Sequence, residues 1–200
     1  VHVDKPPPGI QSLPWSELVA TPATDAVAKS IEAIGPKTVG KFLFTSGSTG
    51  MPKAVINTQE MMCANVAMMS MARVRKAGDP APVMLDWLPW NHTMGGNATF
   101  QGNLNEGGTT FIDDGKPLPG LFEETLRNLR EVSPTSFSNV PAGYAMLATA
   151  LEKDEALARR FFKNISVLSY GGATLPGDLY ERMEALAVKH TGYRIPFATG

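Results

Sequence analysis

The chain has 200 residues, of which 43% are hydrophobic, enough to bury the core of one domain or of part of a larger one. Its 18 Lys and Arg residues nearly balance its 19 Asp and Glu residues, so charge supports neither a nucleic-acid partner nor binding to an anionic membrane surface. The single cysteine excludes an internal disulfide and favours a reducing compartment. Because no apolar run reaches membrane-span length and the start lacks a signal-peptide pattern, we expect no membrane span and a cytoplasmic protein.

The chain opens with a proline-rich segment, "VHVDKPPPGIQSLPW" (residues 1–15). Proline has no backbone N–H to donate, so we predict an extended connector without regular structure. A helix is expected over residues 24–34, ended by the Gly-Pro pair that follows. We therefore divide the chain into a leading connector and helix, residues 1–37, and a domain over residues 38–200.

The most informative stretch is "TSGSTGMPK" (residues 45–53). Gly, Ser, Thr and Pro also dominate ordinary surface turns. This run, however, follows the apolar segment "VGKFLF" and precedes a long amphipathic segment that begins near Gln59. A strand that leads through a loop into a helix presents backbone N–H groups and a helix N-terminus to an anion. The pattern therefore favours a phosphate-binding loop over a plain turn.

The segment from Gln59 to Lys76 has the pattern of a helix, capped by Asn57 or Thr58. We expect it to present one broad apolar face for core packing, because packing is a commoner use of methionine than a cofactor-binding cluster. We also expect Cys63, among Met and Ala residues, to be buried. The methionines of this face are Met61, Met62, Met68, Met69 and Met71.

Beyond this helix, short apolar runs alternate with helical patterns. Strands are predicted in "VMLDWLP", "GTTFID", "TSFSNV", "ISVLSY" and "RIPFAT", with helices over residues 121–131, 141–162 and 176–190. This alternation predicts an α/β fold with a largely parallel sheet flanked by helices. In such sheets ligands collect at the carboxyl ends of the strands. Since the chain stops directly after a strand, we expect a domain cut before a functional loop.

The spacing of the loop excludes the two commonest phosphate-binding motifs. A Walker-type loop counted from Gly47 requires Gly where Pro52 stands and Ser or Thr where Ala54 stands. A dinucleotide-binding motif requires Gly where Thr49 stands.

The loop instead resembles the signature of adenylate-forming enzymes, which include acyl-CoA and aryl-CoA synthetases, luciferases and peptide-synthetase adenylation domains. All positions of "TSGSTGMPK" match that signature, with Met51 at its variable place. Two further segments are similar to the family's aromatic and His segment beside the acyl pocket and to its second Gly-rich loop: "LPWNHTMGGN" and "YGGATLP". Within the family, "DWLPWNHTMGGN", "NEGGTTFIDDGKP" and "ETLRNLREVSPTSFSNVP" are most similar to feruloyl-CoA synthases.

The resemblance implies ATP-dependent activation of a carboxylic acid, such as ferulate or another hydroxycinnamate, to an acyl-adenylate, followed by transfer to coenzyme A. It also implies a partial AMP-binding domain, truncated before an acidic adenine-loop motif and lacking the C-terminal domain. The magnesium ligand is expected outside this chain, and no activity is expected from the chain alone. Two alternatives remain: an adenylate-forming enzyme with another acid or acceptor, and a non-catalytic nucleotide-binding module.

The resemblance assigns roles to individual residues. Lys53 is expected to add positive charge at the phosphates, the alternative being a solvated lysine. His92 is expected to orient the carboxylate or gate the half-reactions, the alternative being a packing histidine. The remaining ATP-binding candidates are the loop residues Thr45, Ser46, Gly47, Ser48, Thr49 and Gly50 and the second-loop residues Gly171, Gly172, Ala173 and Thr174.

For several aromatic, acidic and histidine residues, the resemblance assigns no role. The aromatic residues Trp87, Trp90 and Phe137 are either walls of an acid pocket or core. The Asp113-Asp114 pair is expected to be a solvated turn rather than a metal site, since Gly115 and Pro117 stand beside it. His190 is expected to be structural or exposed, at a helix end where a cation complements the dipole. No His, Cys and carboxylate cluster has metal-ligand spacing.

Overall fold

The computed structural model describes residues 8–9, 11–45, 50–72 and 79–199. The helices are α1 (Trp15–Ala20), α2 (Asp25–Glu32), α3 (Gln59–Ala72), α4 (Gln101–Asn105), α5 (Phe122–Glu131), α6 (Pro141–Lys153), α7 (Glu155–Phe162) and α8 (Gly177–Thr191). A π-helical segment (Thr93–Phe100) runs directly into α4. The strands are β1 (Val39–Thr45), β2 (Lys53–Thr58), β3 (Val83–Asp86), β4 (Thr109–Ile112), β5 (Ser136–Asn139), β6 (Val167–Tyr170) and β7 (Phe197–Thr199). Among the helices described, none is long and apolar enough to cross a membrane.

The first two strands form an antiparallel hairpin, in which Thr45 is paired with Lys53. The predicted passage from strand through loop into helix is therefore wrong, because a second strand separates the loop from α3. The β-branched residues Val55, Ile56 and Thr58 favour the extended backbone of β2. The helix begins roughly 20 Å of strand away from the loop, so its N-terminus cannot contribute to binding an anion there.

The other strands form a parallel sheet. β3 pairs with β4, and β5, β6 and β7 pair in that order. β3 also lies beside β5, because Thr135 N–H donates to the Val83 carbonyl (2.8 Å) and Trp87 Nε1 donates to Asn139 Oδ1 (3.2 Å). Each of these contacts joins residues that are 52 positions apart in the sequence, so β3 and β5 run in the same direction. The resulting order, β4-β3-β5-β6-β7, confirms the predicted α/β fold.

The core lies around β5 and β6, where α5, α6, α7 and α8 pack together. Phe137 contacts Tyr144 and Phe161 edge to face, with ring centroids 6.1 and 5.5 Å apart. Phe137 is also only 1% exposed. Of its two alternatives, wall of an acid pocket or core, the structure therefore places it in the core.

The start of the chain departs from the prediction in one element. Helix α1 occupies Trp15–Ala20, next to the proline-rich segment, and none of its residues is buried. Helix α2 begins after Thr24 as expected but ends at Glu32, two residues before the predicted end.

The predicted apolar face of α3 is wrong for most of its residues. Met62 is 8% exposed, whereas Met61, Met68 and Met71 are 58%, 63% and 86% exposed. Cys63, expected to be buried, is also exposed. The apolar pattern predicts the helix correctly, but burial requires a covering layer, and the described residues cover only part of α3. Residues 73–76 of the predicted helix lie outside the described residues.

The two cap candidates of α3 have separate roles. Thr58 Oγ1 accepts a hydrogen bond from Met61 N–H (3.3 Å), as a capping side chain does. Asn57 is buried and instead contacts the π-helical segment through Asn97.

His190 is a packing residue near the end of α8. Its ring stacks on Phe162, with centroids 5.9 Å apart and an interplanar angle of 8°. Burial lowers the pKa of the His190 imidazole, so its neutral form is favoured. The structural role is confirmed, but the expected cation at the helix end is not favoured.

Candidate functional site

The carboxyl ends of β3 and β5 lie side by side in the sheet. The chain leaves β3 on one side to form β4 and returns on the other side to form β5, so the strand order reverses there. In open parallel sheets, ligands bind in the crevice at such a reversal. The segment with His92 follows β3, and the second Gly-rich loop follows β6, two strands from β3. The fold therefore brings both predicted substrate segments to the same edge.

The predicted phosphate loop lies at the tip of the β1–β2 hairpin. Residues 46–49, which include four of the predicted ATP-binding residues, lie outside the described residues. Thr45 and Lys53 flank the loop as paired, exposed residues, and the Thr45 hydroxyl lies 3.5 Å from the Lys53 carbonyl oxygen. Gly50 has φ +83°, which side-chain-bearing residues rarely adopt. Lys53 forms no ion pair with a described residue, so its charge remains available to a ligand.

His92 caps the π-helical segment. Its Nδ1 accepts a hydrogen bond from Met94 N–H (3.2 Å), and its carbonyl accepts from Gly96 N–H (2.8 Å). A neutral imidazole that accepts at Nδ1 carries its hydrogen on Nε2. The side chain is exposed, so Nε2–H can donate to a ligand. The hydrogen bond from Met94 N–H gives the ring a structural role, and the chemical role stays a prediction.

The segment with His92 touches the second Gly-rich loop. A Cβ added to Gly171 would lie 2.9 Å from Met94 Sδ, so a larger residue there would displace the Met94 side chain. Gly172 has φ +82°, which turns the chain after β6. Ala173 and Thr174 are exposed and leave the backbone of this loop open to a ligand.

Two buried amides connect the hairpin to the π-helical segment. Asn97 Nδ2 donates to Asn57 Oδ1 (2.9 Å), across 40 residues of sequence. In the same region, a Cβ added to Gly96 would lie 3.1 Å from Lys41 Nζ. The base of the β1–β2 hairpin is therefore packed against the segment that begins at His92. The structure does not join Lys53 directly to His92 by a hydrogen bond.

Asp86 is a buried acid that sequence reasoning missed. Thr99 Oγ1 lies 2.6 Å from Asp86 Oδ2 and 2.8 Å from the Gly95 carbonyl oxygen, and Leu88 N–H donates to Asp86 Oδ1 (3.0 Å). Burial raises the pKa of the Asp86 carboxyl, against the opposing effect of its hydrogen bonds. An acid as the last residue of an apolar strand is the sequence signal that could have identified it.

Asn139 is a second polar residue that sequence reasoning missed. Its Oδ1 accepts hydrogen bonds from Trp87 Nε1 (3.2 Å) and from Val140 N–H (2.8 Å), and its side chain is fully buried. It therefore ties the residues after β3 to the end of β5.

The two tryptophans of the segment after β3 differ. Trp87 is half-buried and held by Asn139, whereas Trp90 is exposed and packs on Phe100 with ring centroids 4.5 Å apart. Trp90 therefore offers aromatic surface to a ligand.

Asp113 corrects the expectation of a solvated turn. The carboxylate is buried and accepts hydrogen bonds from Gly115 N–H (3.0 Å), Thr125 Oγ1 (2.6 Å) and Asn128 Nδ2 (2.9 Å). It anchors the start of α5 to the end of β4, while its neighbour Asp114 is exposed.

In the part of the chain that the structure describes, no group of three His, Cys, Asp or Glu residues could hold a metal ion. We therefore assign no metal ligand among these residues and no step to the metal.

The chain belongs to the AMP-binding enzyme family, whose model matches residues 4–193. This family is the adenylate-forming superfamily indicated by the loop, and the similarity is to acyl-CoA ligases. No comparison supports a specific similarity to feruloyl-CoA synthases.

Three similar proteins illustrate the relationship. A methyl-dioxo-octahydro-indenyl-propanoyl:CoA ligase of Mycobacterium tuberculosis is 28% identical over 207 aligned positions, covering 100% of this chain and 38% of the relative. A carboxylic acid reductase of the same organism is 29% identical over 130 residues, 65% of this chain and 10% of the relative. A malonyl-CoA ligase solved with methylmalonyl-CoA and AMP is 25% identical with a TM-score of 0.65, covering 83% of this chain. The chain thus spans 38% of the first relative and 33% of the solved ligase.

Proposed function

We propose that this chain is part of an enzyme that activates a carboxylic acid with ATP and transfers the acyl group to coenzyme A. The observation that carries the proposal is the meeting of the His92 segment and the Gly171 loop at the reversal of strand order, in a member of the AMP-binding family. The reaction joins the carboxylate to the α-phosphate of ATP and releases pyrophosphate. The coenzyme A thiol then displaces AMP from the acyl-adenylate.

The loop at the hairpin tip is proposed to bind the leaving phosphates. Charge builds on pyrophosphate as the bond to the α-phosphate breaks, and donors placed in advance around that charge lower the barrier. The proposed hydroxyl donors are Thr45, Ser46, Ser48 and Thr49, with Gly47 and Gly50 allowing close backbone approach. Lys53 would add a positive charge.

Lys53→Ala in the complete natural protein is the direct test of this loop. We expect the adenylation rate to fall about 100-fold, the size of effect that follows removal of one transition-state donor. ATP–pyrophosphate exchange measures it. Lys163→Ala, at the exposed end of α7, is the matched control and should leave the rate unchanged. Equal rates in the two variants would remove Lys53 from the mechanism.

His92 is proposed to orient the carboxylate through Nε2–H. Two substitutions separate this role from helix capping. His92→Asn keeps an acceptor for Met94 N–H but shortens the side chain, so we expect near-normal stability and a KM for the acid raised about tenfold. His92→Gln keeps a donor near the Nε2 position, so we expect a smaller rise in KM. Unaltered KM and half-reaction rates in His92→Ala would contradict the role.

The second Gly-rich loop is proposed to line both the acid and the adenine sites. Its residues Gly171 and Gly172 allow close approach of a ligand, and Ala173 and Thr174 offer backbone groups. We also propose a hydroxycinnamate such as ferulate as the acid, with Trp90 as an aromatic wall. This finer proposal rests on the sequence segments that resemble feruloyl-CoA synthases. A cytoplasmic location remains part of the proposal.

The test of function is ATP–pyrophosphate exchange by the complete natural protein with ferulate, benzoate, a medium-chain fatty acid and no acid. Exchange that requires ferulate supports both the reaction and the substrate. Exchange with another acid keeps the reaction and overturns the substrate. ATP binding without exchange under any acid favours a non-catalytic nucleotide-binding module.

The acceptor needs a separate measurement, since one similar protein is a carboxylic acid reductase. We expect AMP release to accelerate when coenzyme A is added. If a carrier-protein thiol accelerates it and coenzyme A does not, the proposed acceptor is wrong.

A further inference from the structure

We propose, building on the function proposed above, that Asp86 is a positioning residue that retains its proton at pH values where a free aspartic acid has lost it and, through Thr99, holds in place the π-helical segment that begins after His92. The Asp86 carboxyl group does not touch the substrate in this proposal. It acts through two hydrogen bonds inside the protein.

The hydrogen count around Thr99 leads to a protonated acid. Its hydroxyl has one hydrogen but lies within hydrogen-bond distance of two oxygens, Asp86 Oδ2 at 2.6 Å and the Gly95 carbonyl at 2.8 Å. An ionised Asp86 could only accept, so both oxygens would compete for that one hydrogen. A protonated Asp86 donates to Thr99 Oγ1, and Thr99 then donates to Gly95. The Leu88 N–H still donates to Asp86 Oδ1 (3.0 Å), so every partner is satisfied.

Asp113 provides an internal contrast on the neighbouring strand. Its Oδ2 lies at the same 2.6 Å from a threonine hydroxyl, that of Thr125. Thr125 has no second acceptor among the described residues, and two N–H groups, from Gly115 and Asn128, also donate to Asp113. Each donor around Asp113 therefore has a single acceptor. The two acids share one type of contact, but only Thr99 lies within reach of a second acceptor.

The electrostatic surroundings agree with this assignment. Asp86 is 5% exposed, and burial disfavours its charged form. The charged group that acts on it is Asp113, whose negative charge raises the pKa of Asp86 further. Among the described residues, no cation pairs with Asp86 to favour ionisation.

The proton affects His92 because Gly95 packs closely against the backbone of residues 88 and 89. A Cβ at Gly95 would lie 2.3 Å from the Pro89 carbonyl oxygen, and the next residue donates its N–H to the His92 carbonyl (2.8 Å). When Asp86 loses its proton, the Thr99 hydrogen turns to the new carboxylate. The bond to Gly95 is then lost, and the first turn after His92 loosens.

The stability that Asp86 contributes decreases as pH rises. The folded pKa of Asp86 is raised above its unfolded value, so its contribution to stability is complete below the unfolded pKa. That contribution is lost as pH rises through the folded pKa. We expect the KM for the acid to rise about fivefold over the same range, the equivalent of one hydrogen bond.

Four variants of the complete natural protein test the proposal. Asp86→Asn keeps a donor to Thr99 and an acceptor for Leu88 N–H without titrating, so the part of the pH dependence of KM and Tm that Asp86 contributes should disappear. At pH values where Asp86 is protonated, Thr99→Val should raise the acid KM about fivefold with less effect on kcat, and Thr99→Ser should restore it. Thr125→Val is the matched control, expected to lower Tm without changing the pH profile of KM.

An infrared difference spectrum between wild type and Asp86→Asn reports the proton independently of activity. A protonated-carboxyl band at pH values where a free aspartic acid is ionised, lost at higher pH, supports the proposal, whereas a carboxylate band throughout that range overturns it. If the protonated band is present but Thr99→Val and Thr125→Val give the same KM profile, positioning is overturned. If no acid supports pyrophosphate exchange, the proposed function fails, while the spectrum and the pH dependence of Tm still decide the state of Asp86.

Discussion

The hairpin with α3 differs from the layer of strands and helices from α5 to α8 in how far large apolar side chains are buried. Phe44 in the hairpin and Met71 in α3 are 70% and 86% exposed, whereas Leu129 and Leu147 in the later layer are fully buried. The later helices cover parallel strands and one another, while the hairpin is a two-stranded sheet. Apolar patterning thus leads to a core only where a second layer covers the apolar face.

The largest expected effect comes from truncating a core leucine of the later layer. Leu147→Ala should lower the free energy of unfolding by about 2–5 kcal/mol, because it removes buried methyl groups and leaves a cavity. Met71→Ala in α3 is the control and should change it by less than about 0.5 kcal/mol. Chemical denaturation of both variants measures the difference. A similar loss in both would mean that Met71 is buried in the folded protein and would break the comparison.

A smaller effect is expected at the polar centre of the same layer. The Tyr144 hydroxyl is fully buried and lies 2.9 Å from the carbonyl oxygens of both Phe137 and Ser169, at the adjacent strands β5 and β6. Burial raises the pKa of Tyr144, so the hydroxyl stays neutral and remains a donor. Tyr144→Phe should cost about 1–2 kcal/mol in the free energy of unfolding.

Thermal and denaturant unfolding would measure the Tyr144 effect, with Tyr193→Phe, an exposed tyrosine, as the control. A loss no larger than in the control would show that the buried hydroxyl does not stabilise the pairing of β5 and β6.

The smallest effect concerns pH. The folded pKa of His190 is lowered by burial, with Glu155 opposing that shift and Lys189 and Arg159 adding to it. A lowered folded pKa gives stability that is present above the unfolded pKa and is lost as pH falls through the folded pKa. His190→Gln should therefore weaken the decline of Tm between neutral and mildly acidic pH. An identical decline in wild type and His190→Gln would assign it to other groups.

Most elements could be predicted from local sequence. The strands from β3 to β7 and helices α5 to α8 follow from short apolar runs that alternate with helical periodicity and end at Gly or Pro. Strand β2 is not predicted, because a helical pattern follows closely after the loop, although Val55, Ile56 and Thr58 favour a strand. Met61, Met68 and Met71 were misjudged because periodicity identifies a helix face but not the layer that covers it.

The residues of the candidate site also differ in how far the sequence predicts them. His92, Lys53 and the two glycine-rich loops could be chosen from sequence, because each loop has a recognisable spacing. Asn139 and Asp86 could not, because their partners Trp87 and Thr99 are identified only when β3, β5 and the π-helical segment are packed together. Asp113 was misjudged for the same reason, since Thr125 and Asn128 lie on the next helix.

The sequence by itself determined the family of this protein, its α/β class and the residues proposed to offer hydroxyl, imidazole and ammonium groups to a nucleotide and an acid. These properties depend on spacing and periodicity, which are local. Only the tertiary structure decided the strand order, its reversal between β3 and β5, and the different surroundings of Asp86 and Asp113. Those properties depend on contacts between residues far apart in sequence, and the burial of a carboxyl group or the number of its donors is known only after the chain has folded around it.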